Sequence, residues 1–124
     1  MTPPARAAAM DASAMTVSGL CLIHCLLLPL AAVSLPVAGG LAEAEWVHKA
    51  FVAAALPISG FAIARSWNRP SAAGFAWLAL TGLALLCAGA FVEPLHDHET
   101  ALTVLGAVIL AGAHLWRWTS HARP

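Results

Sequence analysis

The chain holds three cysteines and six histidines, and three of these nine residues fall within five positions. They are Cys21, His24 and Cys25, in the order C-x-x-H-C. On a helix, positions i, i+3 and i+4 share one face, with Cβ atoms about 5–6 Å apart. Two thiols and an imidazole on one patch form a ligand set for a soft ion: Hg(II), Cu(I) or Zn(II) rather than Mg or Ca. The order differs from C-x-x-C-H, the covalent haem-attachment motif. The bland alternative is that both cysteines serve as small packing residues. The histidine argues against it, because an ionisable group inside an apolar run is costly and points to function. His114 stands three residues before Arg117. It is expected at a depth from which it faces Cys21 or Cys25 across a bundle, or else bonds a carbonyl or reaches the interface. A second group comprises His48 and the run Glu93-Pro94-Leu95-His96-Asp97-His98-Glu99. Within it, His48, His96, His98 and Glu99 offer imidazole and carboxylate to a hard or borderline cation. The competing reading is a solvated loop in which Asp97 or His98 caps a helix and Glu99 is a first-turn anion favoured by its dipole. Cys87, alone in its apolar run, reads as packing.

Such groups need a scaffold, and the composition restricts it. Of 124 residues, 60% are apolar and 10% charged, with a mean hydropathy of +0.80. An ordinary soluble domain carries about 25% charged residues. A disordered chain and a soluble enzyme of ordinary type are excluded. Six basic and six acidic residues cancel without a basic patch, which excludes a nucleic-acid binder. Three cysteines make a disulfide framework improbable. No Ser/His/Asp set, paired carboxylates or phosphate loop is present, so no enzyme is expected. The expectation is a small multi-pass membrane protein in one domain.

A spanning helix needs about 20 apolar residues. The charges divide the chain into four uncharged blocks: Asp11 to Glu43, Lys49 to Arg65, Arg69 to Glu93 and Glu99 to Arg117. These predict an all-α fold, a four-transmembrane-helix antiparallel bundle with helices at residues 16–37, 47–65, 71–91 and 99–117. Residues 1–15 are expected as a flexible tail. The second span needs Lys49 to reach the interface from its first turn. Pro36 and Gly39-Gly40 end the first run, Asn68-Arg69-Pro70-Ser71 is a turn with Ser71 as N-cap, and Glu93-Pro94 ends the third. Trp46, Trp67, Trp116 and Trp118 fall near span ends, where indoles prefer to sit. Pro29 and Pro57 lie inside spans and are expected to kink them. The many glycines and alanines read as close helix packing. A cleaved signal peptide is the rival reading of the first run, but that run is about twice the length of a normal 7–15-residue apolar region. With four spans, Arg6, Arg65, Arg69, Arg117 and Arg123 share one side, and Lys49 faces Glu43, Glu45, Glu93, Asp97 and Glu99 on the other. The positive-inside rule then places both termini in the cytoplasm.

Several segments together resemble the MerC family of inner-membrane proteins associated with mercury resistance. They are Gly19-Leu20-Cys21-Leu22-Ile23-His24-Cys25-Leu26 with Pro29, Trp46-Val47-His48, the run from His98 to Gly106, and Ala113-His114-Leu115. The similarity runs from about Ser18 to Trp118, and the His-rich pattern resembles a MerC-like branch. The resemblance implies a four-helix protein of a bacterial-type inner membrane that moves Hg(II) into the cytoplasm. Cys21 and Cys25 would bind the ion, and a cytosolic thiol acceptor would receive it. A site with His24, and His114 or His48, also suits Zn(II) or Cu(I). No resident cofactor is implied beyond the transported or bound metal ion. Three other readings remain: a metal-binding regulatory module that does not transport, a haem- or quinone-binding bundle using His24, His48 or His114, and a structural subunit.

Overall fold

The computed structural model of the protein describes residues 2–32, 40 and 44–122. Among them are four α-helices: α1 (Pro3–Ala32), α2 (Glu45–Ser66), α3 (Ala72–Phe91) and α4 (Glu99–Ala122). A six-residue 3₁₀ segment, Glu93–His98, joins α3 to α4. All four helices are long and apolar enough to cross a membrane. Each packs on two neighbours, in the order α1–α2–α3–α4 and back to α1, and side-chain pairs fix the directions. The start of α1 meets the end of α4 at Asp11 and Arg117, and its later part meets the start of α4 at Cys25 and Thr103. Neighbours are therefore antiparallel.

The first helix departs from expectation. It begins at Pro3, not at residue 16, and the stretch read as a tail is packed, with Asp11 and Ala14 buried. Asp11 served as a span boundary because it is charged; inside the bundle its charge is met by Arg117. The helix continues through Pro29. Residues 33–37 of the expected first span, the stops at Pro36 and Gly39, Glu43 and Arg123 lie outside the described residues. Helix α2 starts at Glu45, so Lys49 falls one turn inside it, half-exposed and paired with Glu45 at 2.6 Å. It runs on through Pro57. Ser71 occupies the N-cap of α3, but its hydroxyl makes no capping bond.

The packing inverts the plan of a soluble protein. Leu20, Ile23, Leu27, Leu56, Leu80 and Leu105 point outward, as a hydrocarbon solvent allows. The inward stripes hold small and polar residues. On α1 the stripe is Asp11, Ala14, Ser18, Cys21 and Cys25; on α2 it is His48, Val52, Ala55, Ser59, Ala62 and Ser66. Both follow the three- and four-residue spacing of one helical face. Helices α3 and α4 touch backbone to backbone at Gly82 and Gly106. A Cβ added to Gly106 would stand 2.8 Å from the Gly82 carbonyl oxygen, and one added to Gly82 would stand 2.9 Å from that of Gly106. Gly89 permits a similar approach, since a Cβ there would meet the Thr103 methyl at 3.0 Å. That contact seats Thr103, which lines the site.

Candidate metal centre

Cys21 and Cys25 stand one turn apart on the inner stripe of α1, both buried, with their sulfurs 4.0 Å apart. Cys25 is the better connected. Its sulfur lies 3.3 Å from His48 Nε2 on α2 and 3.4 Å from Thr103 Oγ1 on α4. The Thr103 hydroxyl donates to the Glu99 carbonyl at 2.8 Å, which leaves its oxygen facing the thiol. On the far side of the His48 ring, Nδ1 faces Glu99 Oε1 at 2.6 Å, close but without the alignment of a hydrogen bond. His96 adds Nδ1 at 3.3 Å from Glu99 Oε2. The result is a continuous series, Cys21–Cys25–His48–Glu99–His96, running from the bundle interior to the surface. Its inner members are buried, Glu99 is 14% exposed and His96 is 65% exposed.

The two groups separated along the chain thus lie side by side in the bundle. With the first helix expected from residue 16, the cysteines would lie near the end of the bundle that holds the termini, away from His48 and Glu99. The longer α1 overturns this: Cys25 lies at the level of His48, in the first turn of α2, and Thr103, in the second turn of α4. His24 sits beside the site, its ring edge-on to His48 at 4.9 Å and its Nε2 buried without a partner. His98 is exposed on the 3₁₀ turn. His114 does not point to a thiol; its Nδ1 bonds Asp11 at 2.7 Å and its Nε2 meets Ser59 Oγ at 3.3 Å. Cys87 is partly buried against the core of the bundle.

Among the described residues, no three His, Cys, Asp or Glu side chains are arranged to hold a metal ion as they stand. A two-coordinate ion needs only the sulfurs. Metal–sulfur bonds of about 2.3 Å place two sulfurs roughly 4.6 Å apart across a linear ion, and these are 4.0 Å apart. The sulfurs must part by roughly 0.6 Å to take such an ion. The remaining groups suit thiol activation, in which the thiolate is the ligand and a neighbouring base accepts its proton. His48 Nε2 is placed to accept the proton of Cys25, and Glu99 to balance the resulting imidazolium.

Thr103 is the contributor that sequence reasoning missed. Its signal was its position, four residues after Glu99 and therefore on the same face of α4. The pairing of His48 with Cys25 had no local signal, since 23 positions separate them.

A family model described as MerC mercury resistance protein matches residues 11–119. No curated protein and no solved structure matches the chain.

Proposed function

The chain belongs to the MerC mercury-resistance family, and from that premise we propose that it carries Hg(II) through the membrane by ligand exchange at Cys21 and Cys25. The observation that carries the proposal is the series from the exposed His96 and the partly exposed Glu99 to two buried sulfurs 4.0 Å apart.

Loading proceeds in two exchanges. Hg(II) arrives with two external ligands. His48 accepts the Cys25 proton, the thiolate bonds the ion, and one external ligand departs with its electron pair. Cys21 then gives its proton to the second ligand, which departs with its electron pair and that proton, and the Cys21 sulfur takes its place on the ion. Two Hg–S bonds form, two metal–ligand bonds break, two thiol protons leave and no oxidation state changes. Glu99, partly exposed, is the exit to water for the Cys25 proton that His48 accepts. The pair releases the ion by the reverse exchanges, and a cytosolic thiol acceptor receives it at the other end of the bundle. Zn(II) and Cu(I) are candidate alternative cargoes, with His24 as an added nitrogen ligand.

Orientation follows from charge. Arg6, Arg65 and Arg69 lie toward the end of the bundle that holds both termini, and Lys49 toward the other. The positive-inside rule puts the termini in the cytoplasm of a bacterial-type inner membrane and the Glu99 mouth outside.

The test is Hg(II) binding and uptake by the full chain in proteoliposomes, beside the Cys21→Ser/Cys25→Ser variant. Both activities are expected to vanish in the variant. Uptake that survives the double replacement overturns the role of the pair, and binding without uptake in the parent chain overturns transport.

A further inference from the structure

At the end of the bundle that holds the termini, a second polar cluster has no part in the thiol chemistry. Asp11 and His114 are wholly buried, and Arg117 is 6% exposed. Three donors converge on one carboxylate oxygen of Asp11: Arg117 Nε at 2.8 Å, Arg117 Nη2, and His114 Nδ1 at 2.7 Å. The other oxygen, Oδ2, is buried with no donor. Arg117 Nη1 donates to the Ala62 carbonyl at 2.9 Å and to Ser66 Oγ at 2.7 Å. From α3 only Phe75 enters, with its ring under the guanidinium at 4.6 Å and edge-on to His114 at 5.2 Å. The nearby basic residues of α1 and α2, Arg6 and Arg65, are exposed, and Arg65 lies against Phe61. Among the described residues, the charged groups facing His114 are therefore Asp11 from α1 and Arg117 from its own helix; α2 and α3 face it with the Ser59 hydroxyl and the Phe75 ring.

A structural ion pair would be complete with Asp11 and Arg117. The bridging histidine adds something an ion pair does not need. With Nδ1–H donating to Asp11, Nε2 has two options. Unprotonated, it accepts from the Ser59 hydroxyl; protonated, it donates to the same oxygen. A serine hydroxyl serves both roles, so the ring keeps both bonds in either state. The cluster is neutral in the first state and carries one positive charge in the second. The unpartnered Asp11 Oδ2 is an acceptor held in reserve, able to take one cation while Oδ1 keeps the other. Chains of buried Asp, Glu and His within membranes mark proton-handling sites.

We propose that Asp11, Ser59, His114 and Arg117 form an intramembrane proton-binding site, with the proton carried on His114 Nε2. By helical rise, Asp11 lies about 15 Å along α1 from Cys21. Between them on the same stripe is Ser18, whose buried hydroxyl has no partner. The site stands at the opposite end of the bundle from the metal mouth, and its charge alternates between zero and plus one. A cation leaving by that end meets less repulsion when the proton is absent.

The test is ring-nitrogen NMR of the full, metal-free chain in lipid nanodiscs, with His114 assigned by transfer from the Asp11 carboxyl carbon and by signal loss in His114→Gln. The expected result is one ring that passes from a single protonated nitrogen to two as the pH is lowered. A His114 ring that keeps one protonation state throughout overturns the proposal. Ser59→Ala tests it without removing the ring. Loss of the doubly protonated form in that variant supports the site, and an unchanged titration overturns the part given to Ser59.

Discussion

Cys25 touches a thiol, an imidazole and a hydroxyl at once, each from a different turn or helix. Cys21 touches only Cys25 among polar partners of the described residues. In the proposed exchange this asymmetry gives Cys25 the first step and Cys21 the second. In that proposed exchange His48 is the base that supports Cys25, with the Glu99 carboxylate 2.6 Å from its far side, and losing such outer support typically costs metal sites about 10–100-fold in affinity. His48→Gln is therefore expected to weaken Hg(II) binding by about that factor while both thiols remain, as measured by competition with a small dithiol. Protons oppose the metal at the same atoms. Each displaced thiol proton contributes up to about tenfold in apparent affinity per pH unit, so binding and uptake fall as pH is lowered and rise as it is raised. Metal titrations at several pH values check both sign and slope; a flat profile would mean that no thiol proton is displaced.

At the scale of the helices, the site depends on how closely α4 approaches α3, because Gly89 seats Thr103 and Gly82 meets Gly106. Gly106→Ala forces a methyl against the Gly82 carbonyl and the Leu86 nitrogen, atoms of backbone that cannot step aside. The expected cost is about 1–3 kcal/mol, as for other overpacked cores, read by denaturant unfolding in micelles. Gly112→Ala is the control. A Cβ there meets nothing within 4 Å, and replacing a helical glycine by alanine is expected to be neutral or stabilising by about 0.5–1 kcal/mol. Helices α1, α2 and α4 are tied together at their other end by Asp11 and Arg117. Asp11→Ala strands a guanidinium that is 6% exposed, and removing one partner of a buried pair costs about 3–5 kcal/mol. Replacing both residues by leucine is expected to recover most of that loss, since neither charge then remains unpaired. Thermal unfolding of the single and double variants distinguishes the outcomes.

At the scale of the whole molecule, the bundle has two polar layers separated by a middle of small and aliphatic side chains such as Ala55, Ala79, Ala107 and Leu110. One layer carries the thiols and opens at Glu99; the other, closed around Asp11, lies among the ends that the arginines mark. Reporter fusions at the first and last residues are expected to give the same cytoplasmic signal, and an extracytoplasmic signal at both ends would reverse the proposed route. Much of this plan is local information. The gaps between charges mark four apolar helices because burying charge in lipid is costly, and C-x-x-H-C places two thiols on one helical face because the helical repeat is fixed. The starts of α2, α3 and α4 were legible for the same reason, each lying beside a charge or a turn. What the linear order withheld was pairing. Asp11 read as the edge of a span, since a lone carboxylate does not enter a membrane, and only the antiparallel meeting of α1 with α4 supplies the Arg117 and His114 that let it do so. That one displacement lengthens α1 toward its N-terminus and sets Cys25 level with His48 and Thr103. It also assigns His114 to Asp11 rather than to the thiols. The chain determines which residues face inward; which inward residues meet depends on the depth at which each helix stops, and that is decided only when all four pack together.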